Sequence, residues 1–525
     1  MAGDRIYIDT LNRRFRVRLP VELSEPPPNL RIARTSKPWR IYISMLGTVL
    51  PAFFLMYTSL YFILGIALSD PIMVLSGEIC SIPLIFLIFR LHRPRLIHVR
   101  LATPDELGSE AHALPEGGSL ITPTRTSFQR FLVRDDSILD MPPSRQLWIL
   151  FAITVSVGVF LTALFIQSTT ELAGIALFIL LAIPMWLIGF SLPVLAWWGT
   201  STNSIGLPTR RRSAESWLIA GMASAFPAFI FNSLIAPEVT PSSFPQWAVE
   251  LSLLAIWAPL CEEVFKAMAV AVFLPSIKGP KQGFQVGFTV GLGFALIENF
   301  QYIGFSLMGG PLSVTMTILV RGIGSIPGHA VWTAISGTAI GWIATDKEFK
   351  ARMTWHAKSL AIGAIDTAEG LGIDTDGDGD LSGFDGVRQT LEEAIEEAMA
   401  EQSSQGGPWL ISGREGDVAQ KLGLPGNLEI FDRRGFPYEK SNEKSSSEGL
   451  LLPKSLPAAL ALAISGHSIW NGSSFLSYHA PVEWLGIGEA SSALIMLGWM
   501  IFLIVTVLFV ARSLMRGIRD VDSDF

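Results

Sequence analysis

The sequence predicts an all-α polytopic membrane protein of about ten transmembrane helices, with two small soluble parts, one β-rich and one carrying an acidic loop. Three observations carry this expectation. Half of the 525 residues are hydrophobic and 16% are charged, against about 25% charged in a soluble chain. The apolar residues gather into runs near the roughly 20 residues needed to cross a hydrocarbon layer of about 30 Å. Lys and Arg fall on one set of connecting segments and avoid the other. A net charge of −7 with no dominant basic patch excludes a nucleic-acid partner.

The elements follow in order. The arm 1–40 is basic, lacks the pattern of a cleavable signal, and alternates apolar and basic residues at Phe15-Arg16-Val17-Arg18-Leu19, as a half-buried strand does. The expected spans 41–68 and 71–90 form a hairpin, 41–90. The loop 91–146 holds short apolar runs such as Phe131-Leu132-Val133, and pairing with the arm is the expectation for both. Spans 147–167, 173–198 and 215–236 make the block 147–236, and spans 247–275, 283–305 and 313–344 make the block 247–344. A long insert, 345–454, precedes spans 455–478 and 486–511 (455–511) and the tail 512–525.

With the N-terminus inside, the segments 1–40, 91–146, 199–214, 276–282, 345–454 and 512–525 face the cytoplasm, and each carries Lys or Arg. The opposite loops 69–70, 168–172, 237–246, 306–312 and 479–485 carry none. This asymmetry predicts a multi-pass cell-membrane protein with both termini cytoplasmic. Cys80 and Cys261 both lie within apolar runs, which reads as buried small hydrophobes rather than a disulfide framework or a Cys zinc site.

Ionisable residues within spans are costly and face cavities or partners. Here they concentrate in four spans: Glu262, Glu263 and Lys266; Glu298 with Asn299; Arg321 and His329; and His467 with Asn471. At 1.5 Å per residue, Glu262, Glu298, His329 and His467 all fall about 15–20 Å from a span end, near mid-bilayer. Glu262 and Lys266 are four apart, Glu263 and Lys266 three apart, and His467 and Asn471 four apart, so each pair shares a helix face. As a set of packing ion pairs the cluster does not balance. Three glutamates against Lys266 and Arg321 leave one carboxylate over, which calls for a proton, a charged histidine or a bound cation. Gly283, Gly287 and Gly291 give the seventh span a small-residue face for close helix approach. Pro327, just before His329, lets the eighth span kink. Glu78 and Glu489 stand alone in other spans and form no motif.

The set Glu262-Glu263-x-x-Lys266, Phe294-x-x-x-Glu298-Asn299, Gly328-His329 and His467-x-x-Trp470-Asn471 resembles the PrsW family of intramembrane proteases, related to the CAAX prenyl endopeptidase and bacteriocin-immunity membrane proteases. The resemblance covers roughly 247–344 plus 455–478. It implies an endopeptidase acting on a membrane protein or peptide within the lipid bilayer. On that reading Glu262 is the general base on water, and Glu263 positions the water or ligates a metal. His329 and His467 orient water or bind metal, Asn471 donates to the oxyanion, Lys266 tunes the glutamate pair and Glu298 completes the site. Two readings of the chemistry stand: a Zn²⁺ site made by Glu263, His329 and His467, or metal-free glutamate catalysis. The alternative class is a proton- or ion-coupled transporter, since mid-bilayer Glu, His and Asn also describe proton relays.

The insert carries its own motif. Asp374, Asp376 and Asp378 occupy positions 1, 3 and 5 of a twelve-residue EF-hand-like loop, Gly379 position 6, Asp380 position 7 and Asp385 position 12. The spacing predicts a Ca²⁺ site, weakened by Asp where Glu is usual at position 12. A helix is expected through Leu391–Met399, and the Gly-, Ser- and Pro-rich stretch from Ser403 reads as a linker.

Overall fold

The computed structural model describes residues 5–8, 14–17, 23–26, 38–91, 96–114, 119–134, 142–167, 172–176, 189, 191–207, 209–372, 381–384, 386–400, 452–519 and 521. Among them the chain is dominated by helices: α1 (Pro38–Ala67), α2 (Pro71–Leu91), α3 (Ser144–Ile166), α4 (Leu192–Ile205), α5 (Arg211–Ile230), α6 (Gln246–Ser252), α7 (Ala258–Ala271), α8 (Pro280–Ser306), α9 (Gly310–Val320), α10 (Ile326–Ile343), α11 (Lys347–Gly370), α12 (Leu391–Ala400), α13 (Leu456–His479) and α14 (Glu489–Arg519).

Six helical stretches among the described residues are long and apolar enough to cross a membrane: Val49–Ala67, Pro71–Arg90, Ser144–Leu164, Arg211–Val239, Pro280–Ile343 and Glu489–Arg519. Among the described residues the expected ten are therefore not confirmed. The 64-residue stretch Pro280–Ile343 contains both expected spans, 283–305 and 313–344, which turn back on each other after Leu307–Gly309 so that Gly283 meets Gly337 and Gly291 meets His329. The expected span 247–275 contains a π turn at Leu253–Trp257 and carries Glu262, Glu263 and Lys266 close together, which takes it out of the strictly apolar class. The expected span 455–478 is a helix, α13, but Ser, His and Asn lower its hydropathy along its length. Half of 173–198 lies outside the described residues.

Helices α8 and α10 meet backbone to backbone. A Cβ at Gly283 would stand 2.2 Å from the Gly337 carbonyl oxygen, at Gly287 2.5 Å from that of Thr333, and at Gly291 2.4 Å from that of His329. Only hydrogen at these three positions permits the contact, which is what a small-residue stripe provides where lipid offers no hydrophobic drive between helices. On the other side of α8, Gly293 meets the Leu218 carbonyl and Gly221 of α5 meets that of Val290. Helix α8 is thus clamped between α5 and α10, and its residues 283–297 are buried. Gly466 of α13 accepts the ring of Trp332, with a Cβ there meeting it at 2.9 Å, which seats α13 on α10 beside His467.

Three π turns border this core: Phe231–Ile235, Leu253–Trp257 and Arg321–Ser325. Each is followed two residues later by a proline, Pro237, Pro259 and Pro327. A proline ring clashes with the carbonyl four residues back. Here that carbonyl lies inside the widened π turn, which relieves the clash without ending the helix.

The β-rich part is two antiparallel hairpins. Strand β1 (Arg5–Ile8) pairs with β2 (Arg14–Val17), Arg5 opposite Val17. Strand β3 (Leu96–Ala113) pairs with β4 (Ser119–Arg134), from Leu96 opposite Arg134 to Ala113 opposite Ser119, with irregularities between Pro104 and Ala111. The arm and the loop do meet. Ser24 N donates to Ala111 O at 2.9 Å and Ala113 N donates to Ser24 O at 3.0 Å. Beside this bridge the buried His112 lies 2.7 Å from Ser24 Oγ through Nδ1 and 2.7 Å from Thr126 Oγ1 through Nε2.

In the insert, α11 follows α10 directly, capped by Asp346 accepting from Phe349 N at 3.0 Å. Its last turns hold the segment that returns from the acidic loop. Gly383 N donates to Glu369 Oε2 at 2.7 Å, Phe384 N to Asp366 Oδ1 at 2.9 Å, and Arg388 grips both Asp366 oxygens at 2.9 Å. Gly383 has φ 89°, a left-handed conformation that suits glycine. The expected cation ligands Asp374, Asp376, Asp378, Asp380 and Asp385 lie outside the described residues.

Candidate active site

The four groups of ionisable residues come together from four helices. Helix α7 brings Glu262, Glu263 and Lys266, α8 brings Glu298 and Asn299, α10 brings His329, and α13 brings His467. The rings of His329 and His467 stand edge to face with centroids 4.9 Å apart. Glu263, Lys266 and Asn299 are fully buried, and Glu262, His329 and His467 nearly so.

The contacts form one continuous chain. Arg321 Nη2 lies 2.8 Å from Glu298 Oε2, which lies 2.5 Å from His329 Nε2. His329 Nδ1 is 2.9 Å from Lys266 Nζ, which donates to Glu263 Oε1 at 2.8 Å. Glu263 Oε1 is also 3.0 Å from His467 Nδ1. His467 Nε2 then faces Glu262 Oε2 across 3.9 Å. Aromatic faces back both cations: Phe294 lies under Lys266 Nζ and Tyr302 under the Arg321 guanidinium, each at 4.0 Å.

The two adjacent glutamates are held very differently. Glu263 is gripped by short bonds, 2.8 Å to Lys266 and 3.0 Å to His467. Glu262 has only long ones: 3.4 Å from Asn232 Nδ2 to its Oε1, 3.5 Å from Lys266 to its Oε2, and the 3.9 Å gap to His467. Neighbours in a helix point about 100° apart, and here that divergence separates a fixed carboxylate from a loosely held one. The loosely held oxygens are those available to water or to a cation.

Glu262, His329 and His467 each offer one ligand atom, and these atoms lie within 4.8 Å of one another, all buried. Two imidazoles and a carboxylate suit Zn²⁺ with an open position. The charge count agrees: Glu262, Glu263 and Glu298 outnumber Lys266 and Arg321, and Glu263 Oε2 is a buried acceptor with no hydrogen-bond partner among the described residues. The grouped carboxylate is Glu262, whereas the expected ligand set contained Glu263. Glu263 instead accepts from His467 Nδ1, the arrangement that orients a ligating histidine.

Two other expected residues take up different posts. Asn471 Nδ2 donates to the Leu254 carbonyl at 3.0 Å, inside the π turn before α7, so it secures that turn rather than facing the histidines. Asn299 accepts from Arg321 Nε at 2.7 Å through Oδ1 and holds the guanidinium beside Glu298. The structure also adds a residue that sequence reasoning passed over. Asn232, on the first π turn, reaches Glu262 and accepts from Cys261 Sγ at 2.8 Å. The signal it leaves in the sequence is a single uncharged amide within an apolar span.

Residues 211–366 match the PrsW family intramembrane metalloproteases. The match runs from the start of α5 into α11. It contains Glu262, Glu263, Lys266, Glu298, Asn299 and His329, and it ends before His467. No curated protein and no solved structure matches the chain. The matched family is one of proteases, and the transporter alternative gains no support.

Proposed function

We propose, taking as premise that this chain is a PrsW-family intramembrane protease, that Glu262, His329 and His467 form its metal-dependent centre and that it hydrolyses a peptide bond of a membrane-associated protein. The observation that supports this reading most is the convergence of those three buried side chains, from three helices, to within 4.8 Å. A divalent ion held there polarises a carbonyl and lowers the pKa of a bound water to about 7.

The chain's own residues divide the remaining work. Glu262 turns Oε2 toward His467 and Oε1 toward Asn232. Oε2 serves as ligand, and Oε1 accepts the water proton and returns it to the departing amine. Glu263 fixes the tautomer and orientation of His467 through Nδ1. Glu298 does the same for His329 and is itself anchored by Arg321. The oxyanion role expected of Asn471 requires it to leave the Leu254 carbonyl, so its standing post is structural. The asymmetry of Lys and Arg supports cytoplasmic termini.

The acidic loop belongs to the same proposal. The spacing of Asp374, Asp376, Asp378, Asp380 and Asp385 supports a Ca²⁺ site. The loop follows α11, which continues from the helix bearing His329, so a cation that orders the loop has a direct route to regulate the centre. Calorimetry on the full chain tests it: absence of Ca²⁺ binding at millimolar concentration refutes the site.

The test of the protease reading is cleavage of transmembrane peptides in proteoliposomes. Wild type cleaves, chelator stops cleavage, and Glu262→Gln and His467→Ala abolish it. Undiminished cleavage by Glu262→Gln overturns the assignment.

A further inference from the structure

We infer that Lys266 is an internal cation that keeps His329 from ligating a metal ion, so that loading the centre requires the ammonium to leave the histidine. The inference rests on the metal-centre reading above and concerns a positioning residue of that centre.

Both ring nitrogens of His329 are occupied. Lys266 Nζ is 2.9 Å from Nδ1, and Glu298 Oε2 is 2.5 Å from Nε2. An ammonium offers three donors and no acceptor. It therefore needs the lone pair of Nδ1, which places the imidazole proton on Nε2, where the Glu298 carboxylate accepts it. In this tautomer His329 has no lone pair left for a metal. A metal on Nδ1 takes the place of the ammonium. A metal on Nε2 forces the proton onto Nδ1, where it faces an ammonium proton, donor against donor. Either route excludes the Lys266 contact observed.

His467 shows the contrast. Its Nδ1 proton goes to Glu263, and its Nε2 faces Glu262 across 3.9 Å, so it is ready to ligate while His329 is not. The seat of Lys266 explains why the ammonium competes with a metal. It is wholly buried, donates to Glu263 at 2.8 Å and to Glu262 at 3.5 Å, and rests on Phe294. These carboxylates are the ones a divalent ion would seek, and two cations this close repel strongly at low dielectric.

The experiment is Zn²⁺ and Co²⁺ binding to the full-length protein in detergent, measured by chelator competition and by the visible band of tetrahedral Co²⁺. Lys266→Met removes the cation and is expected to bind Zn²⁺ at least about tenfold more tightly than wild type. The Co²⁺ band should then appear at correspondingly lower free Co²⁺. Lys266→Arg keeps a cation and is expected to bind no more tightly than wild type. Should Lys266→Met fail to fold, Lys266→Gln carries the same expectation as Met. Binding by the neutral variant that equals or falls below wild type overturns the inference, because a lysine that merely supports the fold loosens the site when removed. If neither wild type nor the neutral variants bind more metal than His467→Ala, the metal-centre reading itself falls and the inference with it.

Discussion

The contact between α8 and α10 makes a sharp prediction about geometry, because Gly291 faces the backbone of a candidate ligand. In Gly291→Ala the new Cβ lies 2.4 Å from the His329 carbonyl oxygen and 2.7 Å from Ala330 Cα, both main-chain atoms that cannot rotate aside. Reaching ordinary contact at 3.4 Å takes about 1 Å of helix separation. Overpacking of this kind costs about 1–3 kcal/mol. Moving a reacting group by about 1 Å costs on the order of 10²-fold in rate. His329 has little room for such a shift, held as it is at 2.5 Å by Glu298 and 2.9 Å by Lys266. Gly291→Ala is therefore expected to lower peptide cleavage by about two orders of magnitude with a modest fall in unfolding temperature. Gly363→Ala in α11 is the control, since nothing lies within 4 Å of its Cβ position. It should leave cleavage unchanged and raise helix stability by up to about 1 kcal/mol. If Gly291→Ala cleaves as wild type does, the close α8–α10 packing is not what places His329, and the reasoning fails.

Three further outcomes follow. Glu263→Ala leaves Lys266 buried without its closest carboxylate and should destabilise by about 3–5 kcal/mol; Glu262→Gln should change the unfolding temperature far less, and differential scanning fluorimetry separates them. Asn232→Leu removes the donor to Glu262 Oε1 and the acceptor for Cys261, and is expected to reduce cleavage about tenfold with no loss of folding; a rate equal to wild type would rule Asn232 out of the site. In the insert, Arg388 and the Phe384 amide hold the Asp366 carboxyl below its ordinary range. A depressed carboxylate contributes its stability above the unfolded pKa of about 3.9, and loses it as pH falls through the lower folded value. Hydrogen exchange of the 381–390 segment should accordingly rise only on acidification below that point in wild type, and be fast already at neutral pH in Asp366→Asn.

Much of the site was legible because its residues are anomalies against an apolar background. A carboxylate in a span has few reasons to be there, and the four groups that stood out are the four that converge. The glycine spacing at 283, 287 and 291 likewise announced a close helix contact, which the Gly337, Thr333 and His329 carbonyls fill. What stayed hidden depends on direction rather than composition. That Glu262 rather than Glu263 stands grouped with the two histidines could not be read from two adjacent letters. It is set by which one Lys266 and His467 seize. The π turns were equally hidden, since a proline signals a kink but not the wide turn that absorbs it. One such turn redirects Asn471 to the Leu254 carbonyl. The count of ten spans is not confirmed among the described residues for a related reason: α13 carries His467, Asn471 and several serines, which lower the hydropathy by which spans are recognised.

The linear order of contacts from Arg321 to Glu262 suggests why this centre holds so many charges where each is expensive. Every inner member serves two neighbours: Glu298 takes Arg321 and His329, Lys266 takes His329 and Glu263, and Glu263 takes Lys266 and His467. Shared partners offset the desolvation of groups that, isolated, would cost several kcal/mol each. Along this order Arg321 is followed by Glu298 and Lys266 by Glu263, but the far end sets a second carboxylate beyond His467. That end is Glu262, the one carboxylate with no short bond, facing a histidine nitrogen with a lone pair to give. The chain does turn back on itself, but weakly, since Lys266 reaches Glu262 at 3.5 Å against 2.8 Å for Glu263. Its most loosely held member is Glu262, at the point where the geometry also gathers two imidazoles, and on the proposed reading a cation there would complete the charge balance.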